Sequence, residues 1–240
     1  MTPRAAAAKR AFDLALAAVL LVPGLPVLAA IALAVRLVDG PGPIYASPRV
    51  GQGMRPFTLW KVRTMATDNG PEMGVTGGDK AHRITKLGAF LRRSRLDELP
   101  QLFNVLRGDM SFVGPRPPAP LYAKRFPDIY ADVLTMRPGI TGLATVIYHA
   151  HEERILARCR SAAETDATYA RRCVPWKARL DAIHRARWSL ALDLLILYLT
   201  AAKLLPLPGA RAQRVRNRDN PSKKPQTRPA LTRSPSSTNG

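Results

Sequence analysis

The chain is short of acid. Its 240 residues carry 17 Asp and Glu against 37 Lys and Arg, a formal net charge of +20. Such a surface attracts anions: nucleic acid, an anionic membrane face, or phosphorylated small molecules. Aromatic residues are also scarce, at 6%, which argues against a platform for stacking bases. Two cysteines, Cys159 and Cys173, are too few for a disulfide framework and lack metal-site spacing. A reduced compartment is the default for such a chain. No internal repeat is visible. The apolar fraction, 46%, is ordinary for a globular protein, and the length fits one sizeable domain plus extensions.

The apolar residues are concentrated at two places. The first is AFDLALAAVLLVPGLPVLAAIALAVRL, residues 11–37, long enough to cross a bilayer, which needs about 20 apolar residues. It fits a cleaved signal peptide poorly, being too long and lacking a clear cleavage site. Pro23, Gly24 and Pro26 interrupt it. Proline removes a backbone donor and crowds the preceding turn, so a bend is expected there. Arg4, Lys9 and Arg10 precede the run, and Arg36, Arg49 and Arg55 follow it. Lys and Arg mark the cytoplasmic side, so a re-entrant hairpin satisfies both flanks, whereas a straight span leaves one basic flank outside. The second apolar place is RWSLALDLLILYLTAAKLL, residues 187–205, with Asp193 in its middle. It is borderline for spanning and reads as a helix lying in the interface or against the body.

Between them, GPGPIYASP reads as a loop leading to a short strand, and RPFTLWKVRTM as an extended segment with Lys61 and Arg63 on one face. Residues 66–82 are polar and Gly-rich, and GVTGGDK (74–80) reads as a mobile loop or lid. ITKLGAFLRRSRL (84–96) has the period of an amphipathic helix. PQLFNVLRG (100–108) reads as a short helix with Pro100 in its first turn and Gly108 at its end. MSFVGPRPP follows as a stiff loop. Residues 137–148 read as a turn and then a strand, and 151–187 as two helical pieces split near Val174-Pro175. The histidines of YHAHEE, His149 and His151, read as surface residues. From Pro206 onward there are eight Lys and Arg and one Asp. This Pro- and Ser-rich tail cannot bury enough surface to fold and reads as disordered, with anionic lipid as a possible target.

The stretch SRLDELPQLFNVLRGDMSFVGPRPP carries the chemistry-bearing residues. Asp97 and Glu98 stand where a helix starts, so one reading is a cap. The other is a site. Arg92, Arg93 and Arg95 lie within five residues, and Arg116 stands between prolines. A carboxylate among cations stays ionised and can act as a nucleophile. Arginine grips phosphate oxygens in pairs, and a carboxylate together with diphosphate oxygens makes a reasonable Mg²⁺ site.

KRAFDL, the Pro-interrupted run, GPGPIY, KVRTM, LGAFLRRSRLDELPQLFNVLRGDMSFVGPRP, RPGITG and SLALDLLILYLT stand in one order from Lys9 to about Leu205. In this the chain resembles the bacterial initiating sugar transferases, the monotopic polyprenol-phosphate phosphoglycosyl transferases. The resemblance implies transfer of a sugar-1-phosphate from a nucleotide sugar, commonly UDP-linked, to a membrane polyprenol phosphate, starting exopolysaccharide, capsule, O-antigen or glycan assembly. It implies Asp97 as the nucleophile of a covalent phosphosugar intermediate, Glu98 as its partner that deprotonates or orients the lipid phosphate, Arg92 as a substrate-binding arginine beside the dyad, and Arg116 at the substrate phosphate. Mg²⁺ would bridge Asp97 and the diphosphate. Lys61 and Arg63 join the candidate substrate-binding residues.

The expected architecture is α+β and mainly helical. It comprises a re-entrant membrane hairpin (1–39), a catalytic body with short strands and an apolar C-terminal helix (40–205) on the cytoplasmic face of the inner membrane, and a basic tail (206–240). The partners expected are the nucleotide sugar, polyprenol phosphate and an anionic membrane surface, and no nucleic acid. A non-catalytic membrane scaffold and a basic nucleic-acid binder are the competing classes. The chain departs from the resemblance in Pro23, in Leu25 before Pro26, in Leu143 and Thr145 where many members have Trp and Gln, and in His184 where Tyr is common. The segment from Leu143 suggests altered sugar selectivity.

Overall fold

A computed structural model describes residues 2–66 and 78–204. The chain divides into Met1–Leu204 and Leu205–Gly240, and the second unit lies outside the described residues. The expectation of a disordered tail falls outside them, as does most of the loop expected over 66–82, whose last part, Gly78–Arg83, is a 3₁₀ helix.

The first helix, α1, runs from Pro3 to Val38. It continues as one helical element through Pro23 and Pro26, the point at which the sequence leads one to expect a bend. Backbone hydrogen bonds on either side of the two missing donors hold the helical path. The KRAFDL motif docks its N-terminal part. Lys9 Nζ lies 2.5 Å from Asp193 Oδ2, the Arg10 guanidinium donates to the carbonyls of Val105 (2.6 Å) and Leu106 (3.0 Å), and Asp13 Oδ1 accepts from Ser111 Oγ (3.0 Å) and the Phe112 amide (3.1 Å). The far end is held as well: Val35 packs with Val62 and Leu91, and Thr85 Oγ1 donates to Asp39 Oδ2 at 2.9 Å. Between these anchors many apolar side chains are exposed, Val22 at 77% and Leu33 at 56%.

Strands β1 (Ile44–Val50) and β2 (Pro56–Val62) form an antiparallel hairpin that pairs Tyr45 with Lys61 and Arg49 with Phe57. Helix α2 (Lys86–Ser94) follows, capped by Thr85, whose Oγ1 accepts from the Gly88 amide at 2.8 Å. A 3₁₀ turn over Leu96–Glu98 leads into α3 (Gln101–Arg107), which stops at Gly108 with φ +90°. The short strand β3 (Ser111–Val113) pairs in parallel with β4 (Gly139–Thr141). Helices α4 (Pro120–Arg125) and α5 (Pro127–Val133) lie between them, and α6 (Leu143–Leu156), α7 (Ala162–Thr168), α8 (Val174–Ala186) and α9 (Leu190–Leu204) complete the body.

Two expectations are corrected here. Leu143–Tyr148 begins α6 and is not a strand. Its β-branched Thr145, Val146 and Ile147 favour a strand locally, but β4 ends at Thr141 and the chain turns at Gly142 into a helix packed on its neighbours. The helical stretch beyond 151 also breaks at 157–161, and a π turn over Tyr169–Cys173 leads into α8, so more than two pieces are present.

The core has three parts. Ala17, Leu59, Leu102, Val105, Phe112 and Ile196 join α1, β2, α3, β3 and α9. Val50, Tyr122, Leu134, Leu156, Tyr169 and Val174 join β1 to the later helices. Val35, Val62 and Leu91 close the third. On α9, Asp193, Ile196 and Thr200 recur on one helical face. Asp193 is fully buried, with His184 Nε2 at 2.9 Å from its Oδ1 and Trp188 Nε1 donating to Oδ2 at 3.0 Å. The Thr200 and Thr141 hydroxyls lie 2.8 Å apart. Leu194, Leu195, Tyr198 and Leu199 lie exposed on the other side of the same helix.

Helix α2 approaches the chain just after β2 so closely that a Cβ at Gly88 would sit 2.0 Å from the Thr64 carbonyl oxygen, whereas one at Gly24 would meet only side chains at 3.6 Å or beyond. Gly88→Ala is expected to cost ~2 kcal/mol or more, lowering Tm by about 4–8 °C, while Gly24→Ala should shift it by no more than about 2 °C. Thermal melts of the two purified variants check this; equal melting would refute the close approach.

Candidate functional site

The site is built where α2 gives way to α3. Helix α2 ends at Arg95, a non-glycine residue at φ +58° and ψ +14°. This left-handed conformation reverses the chain at once and costs of order 1 kcal/mol or more. It delivers Asp97 and Glu98 into the body, at 7% and 6% exposure. Neither side chain caps α3, whose N-terminal Pro100 lacks any side-chain cap. The cap reading is therefore overturned.

Glu98 is ringed by cations from three directions. Its Oε1 accepts from Arg116 Nη2 at 2.9 Å and from Arg95 Nη1 at 3.3 Å, and lies 3.6 Å from Lys61 Nζ. Burial alone would raise its pKa, but Arg116, Lys61 and Arg95 hold the carboxyl down at about 2. Asp97 is the opposite. Its Oδ1 is buried without a hydrogen-bond partner. Burial and the neighbouring Glu98 charge raise its pKa, against the pull of Lys61, Arg116 and Arg92. The sequence pattern led to the expectation that the surrounding cations keep Asp97 ionised; burial first, and then the second carboxylate, work against those cations. Two adjacent carboxyls are thus driven apart in acidity, the arrangement that divides roles between paired acids.

Of the sequence-predicted residues, the fold brings together Asp97, Glu98, Arg116, Lys61 and Arg92. Arg92 donates through Nε to Thr64 Oγ1 at 2.8 Å and lies close enough to Asp97 to stabilise its charge. Arg63 stands apart. Its guanidinium donates to the carbonyls of Asp39 (2.7 Å) and Gly40 (2.8 Å) and also to that of Pro41. It closes the exit of α1 and is removed from the set of substrate-binding candidates, because β2 ends at Val62 and its alternation no longer sets where the next side chain points. Two arginines not singled out as site residues join the cluster: Arg95, one turn from Glu98 and so within reach by spacing, and Arg49, which only the tertiary fold brings beside Arg116 and Lys61.

A largely apolar cavity of about 390 Å³ opens beside the dyad. Leu20, Pro23, Gly24 and Val27 of α1 line one wall, Leu99, Leu102, Phe112 and Ile140 the other, and Arg95 and Glu98 stand at its polar edge. Thr145, the position where the resemblance led one to expect Gln, also lines it. His184 fills its own place by pairing with Asp193. His149 pairs with Glu153 at 3.3 Å on α6, and no cluster of three or more potential metal ligands exists among the described residues.

Residues 4–206 match the family of bacterial sugar transferases. The chain belongs to that family. The transferase is 36% identical over 199 residues to a UDP-glucose:undecaprenyl-phosphate glucose-1-phosphate transferase of Escherichia coli, covering 81% of this chain and 39% of the relative. It is 39% identical over 211 residues to a protein of the same description from Caulobacter vibrioides, covering 84% and 71%. It is 36% identical over 208 residues to a UDP-N-acetylgalactosamine-undecaprenyl-phosphate N-acetylgalactosaminephosphotransferase of Aeromonas hydrophila, covering 85% and 45%. The transferase thus spans less than half the length of two of these three relatives.

Lys61 supplies a pH handle. Burial, then Arg116, bring its ammonium down to about 8, against the attraction of Glu98 and Asp97. Below that pH the cation on Glu98 is intact; above it the cation is lost. The kcat/KM of the transferase is expected to fall above about pH 8, and Lys61→Arg should move that limb upward, since arginine stays protonated. A pH profile with no alkaline limb, or one unmoved in Lys61→Arg, would refute the assignment.

Proposed function

We propose that this chain transfers a sugar-1-phosphate from a uridine diphosphate sugar to a polyprenol phosphate at the cytoplasmic face of the bacterial inner membrane, the first step of a glycan assembly. The observation that carries the reading is the dyad itself: an unpartnered Asp97 beside a Glu98 held by three cations, at the rim of an apolar cavity. The relatives' names supply the donor and acceptor classes.

In the proposed reaction an Asp97 carboxylate oxygen attacks the phosphorus that bears the sugar. The Asp97–phosphorus bond forms as the bond to the bridging oxygen breaks, and the nucleoside monophosphate leaves with that electron pair. A phosphate oxygen of the lipid then attacks the same phosphorus and releases Asp97. A raised pKa makes Asp97 the stronger nucleophile once it is deprotonated. Glu98, held at about 2, is too weak a base to take a proton near neutrality and serves to orient Arg116, Lys61 and Arg95 toward the phosphates. Those cations offset the charge that gathers at the phosphoryl oxygens.

Mg²⁺ fits this donor set. Asp97 Oδ1 is a buried hard oxygen with no protein partner, and Mg²⁺ commonly binds through one or two carboxylates plus substrate phosphates. Asp97 would hold it, and when bound the ion supplies Lewis-acid neutralisation of the diphosphate.

Two features support a monotopic seat on the membrane. Both ends of α1 dock on the same body, through Lys9, Arg10 and Asp13 at one end and Val35 and Asp39 at the other. The exposed apolar faces of α1 and α9 would enter the lipid, leaving the dyad near the headgroups, where a lipid phosphate lies.

Asp97→Asn is expected to abolish transfer, by about 10³-fold or more, while membrane association persists and Tm holds or rises by about 2–4 °C, because a buried unpaired carboxylate is removed. Nucleoside monophosphate release and melting check both; substantial transfer by this variant would refute the nucleophile. For topology, Ala5→Cys and Tyr45→Cys should react with a membrane-impermeant thiol reagent from the same side, against a low background because Cys159 and Cys173 are buried. Reaction from opposite sides would mean that α1 spans.

A further inference from the structure

Lys61, Arg95 and Arg116 are each engaged with Glu98, and Arg92 with Thr64. Among the described residues Arg49 is engaged with no acceptor, and its Nε is buried without a hydrogen-bond partner. A buried donor left unsatisfied costs ~1–3 kcal/mol, a cost that a ligand bringing an acceptor would remove.

The place of Arg49 says what that partner is. In the antiparallel register Arg49 lies opposite Phe57 and Tyr45 opposite Lys61, so Arg49 and Lys61 project from the same face of the hairpin. The amide of the next residue, Val50, donates to the Pro118 carbonyl at 3.1 Å. This bond draws the end of β1 against the loop that carries Arg116. Arg49 and Arg116 are thereby close enough to repel. Arg116 keeps its bond to Glu98 at 2.9 Å, but the Arg49 donors beside it have no acceptor among the described residues, so the pair can take a phosphate.

The location also separates donor from acceptor. The apolar cavity is edged by Arg95 and Glu98 and walled by α1, and Arg49 is not among its lining residues. Arg49 lies instead toward Tyr169 and the later helices, where Lys177 is already paired with Glu152 at 3.1 Å.

We propose that Arg49 is a further phosphate-binding residue of the site, which with Arg116 grips the phosphate on the nucleotide side of the donor and steadies it as it departs as a nucleoside monophosphate. The inference rests on the transfer reaction proposed above. It assigns the two anion-binding flanks of the dyad to different substrates: Arg49 to the water-soluble nucleotide, and the Arg95 edge to the lipid.

The test uses the full chain in lipid nanodiscs with two probes, uridine monophosphate and undecaprenyl phosphate. Calorimetric affinity for uridine monophosphate should fall about tenfold or more in Arg49→Gln, and Arg49→Lys, a point charge without the fork, should recover part of it. In turnover with a uridine diphosphate sugar that the wild type accepts, the KM for donor should rise by a similar factor while the KM for undecaprenyl phosphate stays within about twofold. Uridine monophosphate affinity within about twofold of wild type in a variant that melts normally would overturn the inference, as would a rise confined to the KM for the lipid. If Arg49→Gln does not fold, Arg49→Lys decides, and unchanged affinity there overturns it equally. A wild type that releases no nucleoside monophosphate from any nucleotide sugar defeats the proposed reaction. Normal turnover with an unaffected Arg49→Gln defeats only the role of Arg49.

Discussion

Everything at the site depends on one buried carboxylate meeting three cations. Glu98 gathers Arg95 from the end of α2, Lys61 from β2 and Arg116 from the proline-rich loop after β3. A lone charge at that depth would be expelled or neutralised. With three partners it stays ionised, and it fixes three chain segments around a common point. The same concentration of charge isolates Asp97. Its neighbour takes the close hydrogen bonds, and Asp97 is left buried and repelled by Glu98, its Oδ1 without a hydrogen-bond partner among the described residues. The free carboxylate is thus a consequence of the satisfied one.

A second buried carboxylate plays the corresponding part for the anchor. Asp193 lies in the first turn of the apolar helix α9, where it reads as an anomaly until the fold supplies Lys9, His184 and Trp188 around it. These contacts lock the start of α1 to α8 and α9. Asp13 and Arg10 extend the lock to β3 and α3. The long helix, many of whose apolar side chains are exposed, is therefore held by a polar strip near one end, by Val35 and Asp39 at the other, and by the packing of Leu16, Ala17, Leu21, Leu28 and Ile31 between them. The proline segment falls between these anchors and forms one wall of the cavity beside the dyad. An apolar space so close to a charged dyad suits a substrate that is lipid at one end and phosphate at the other.

Much of this is legible in local sequence. Asp97, Glu98 and Arg116 stand within twenty residues of one another, and Gly108 marks the end of α3 because only its left-handed φ closes that turn without strain. The failures are equally physical. Leu143–Tyr148 carries β-branched residues that suit a strand, yet packing makes it a helix. Arg63 shares its spacing with Lys61, but a difference of one residue past the end of β2 sends it to the carbonyls at the exit of α1. Arg49 is one more basic residue in a basic chain until the Val50–Pro118 hydrogen bond brings it to Arg116.

The sequence by itself determined which residue types could do chemistry, where the apolar anchors lie, and which family the chain belongs to, because these follow from composition, periodicity and contiguous motifs. The tertiary structure alone decided which arginines reach the carboxylates, which of two adjacent acids is satisfied and which is left free, and what surrounds the buried Asp193. Those outcomes depend on distances between segments far apart in the chain, and on the exclusion of water that only the packed body brings about.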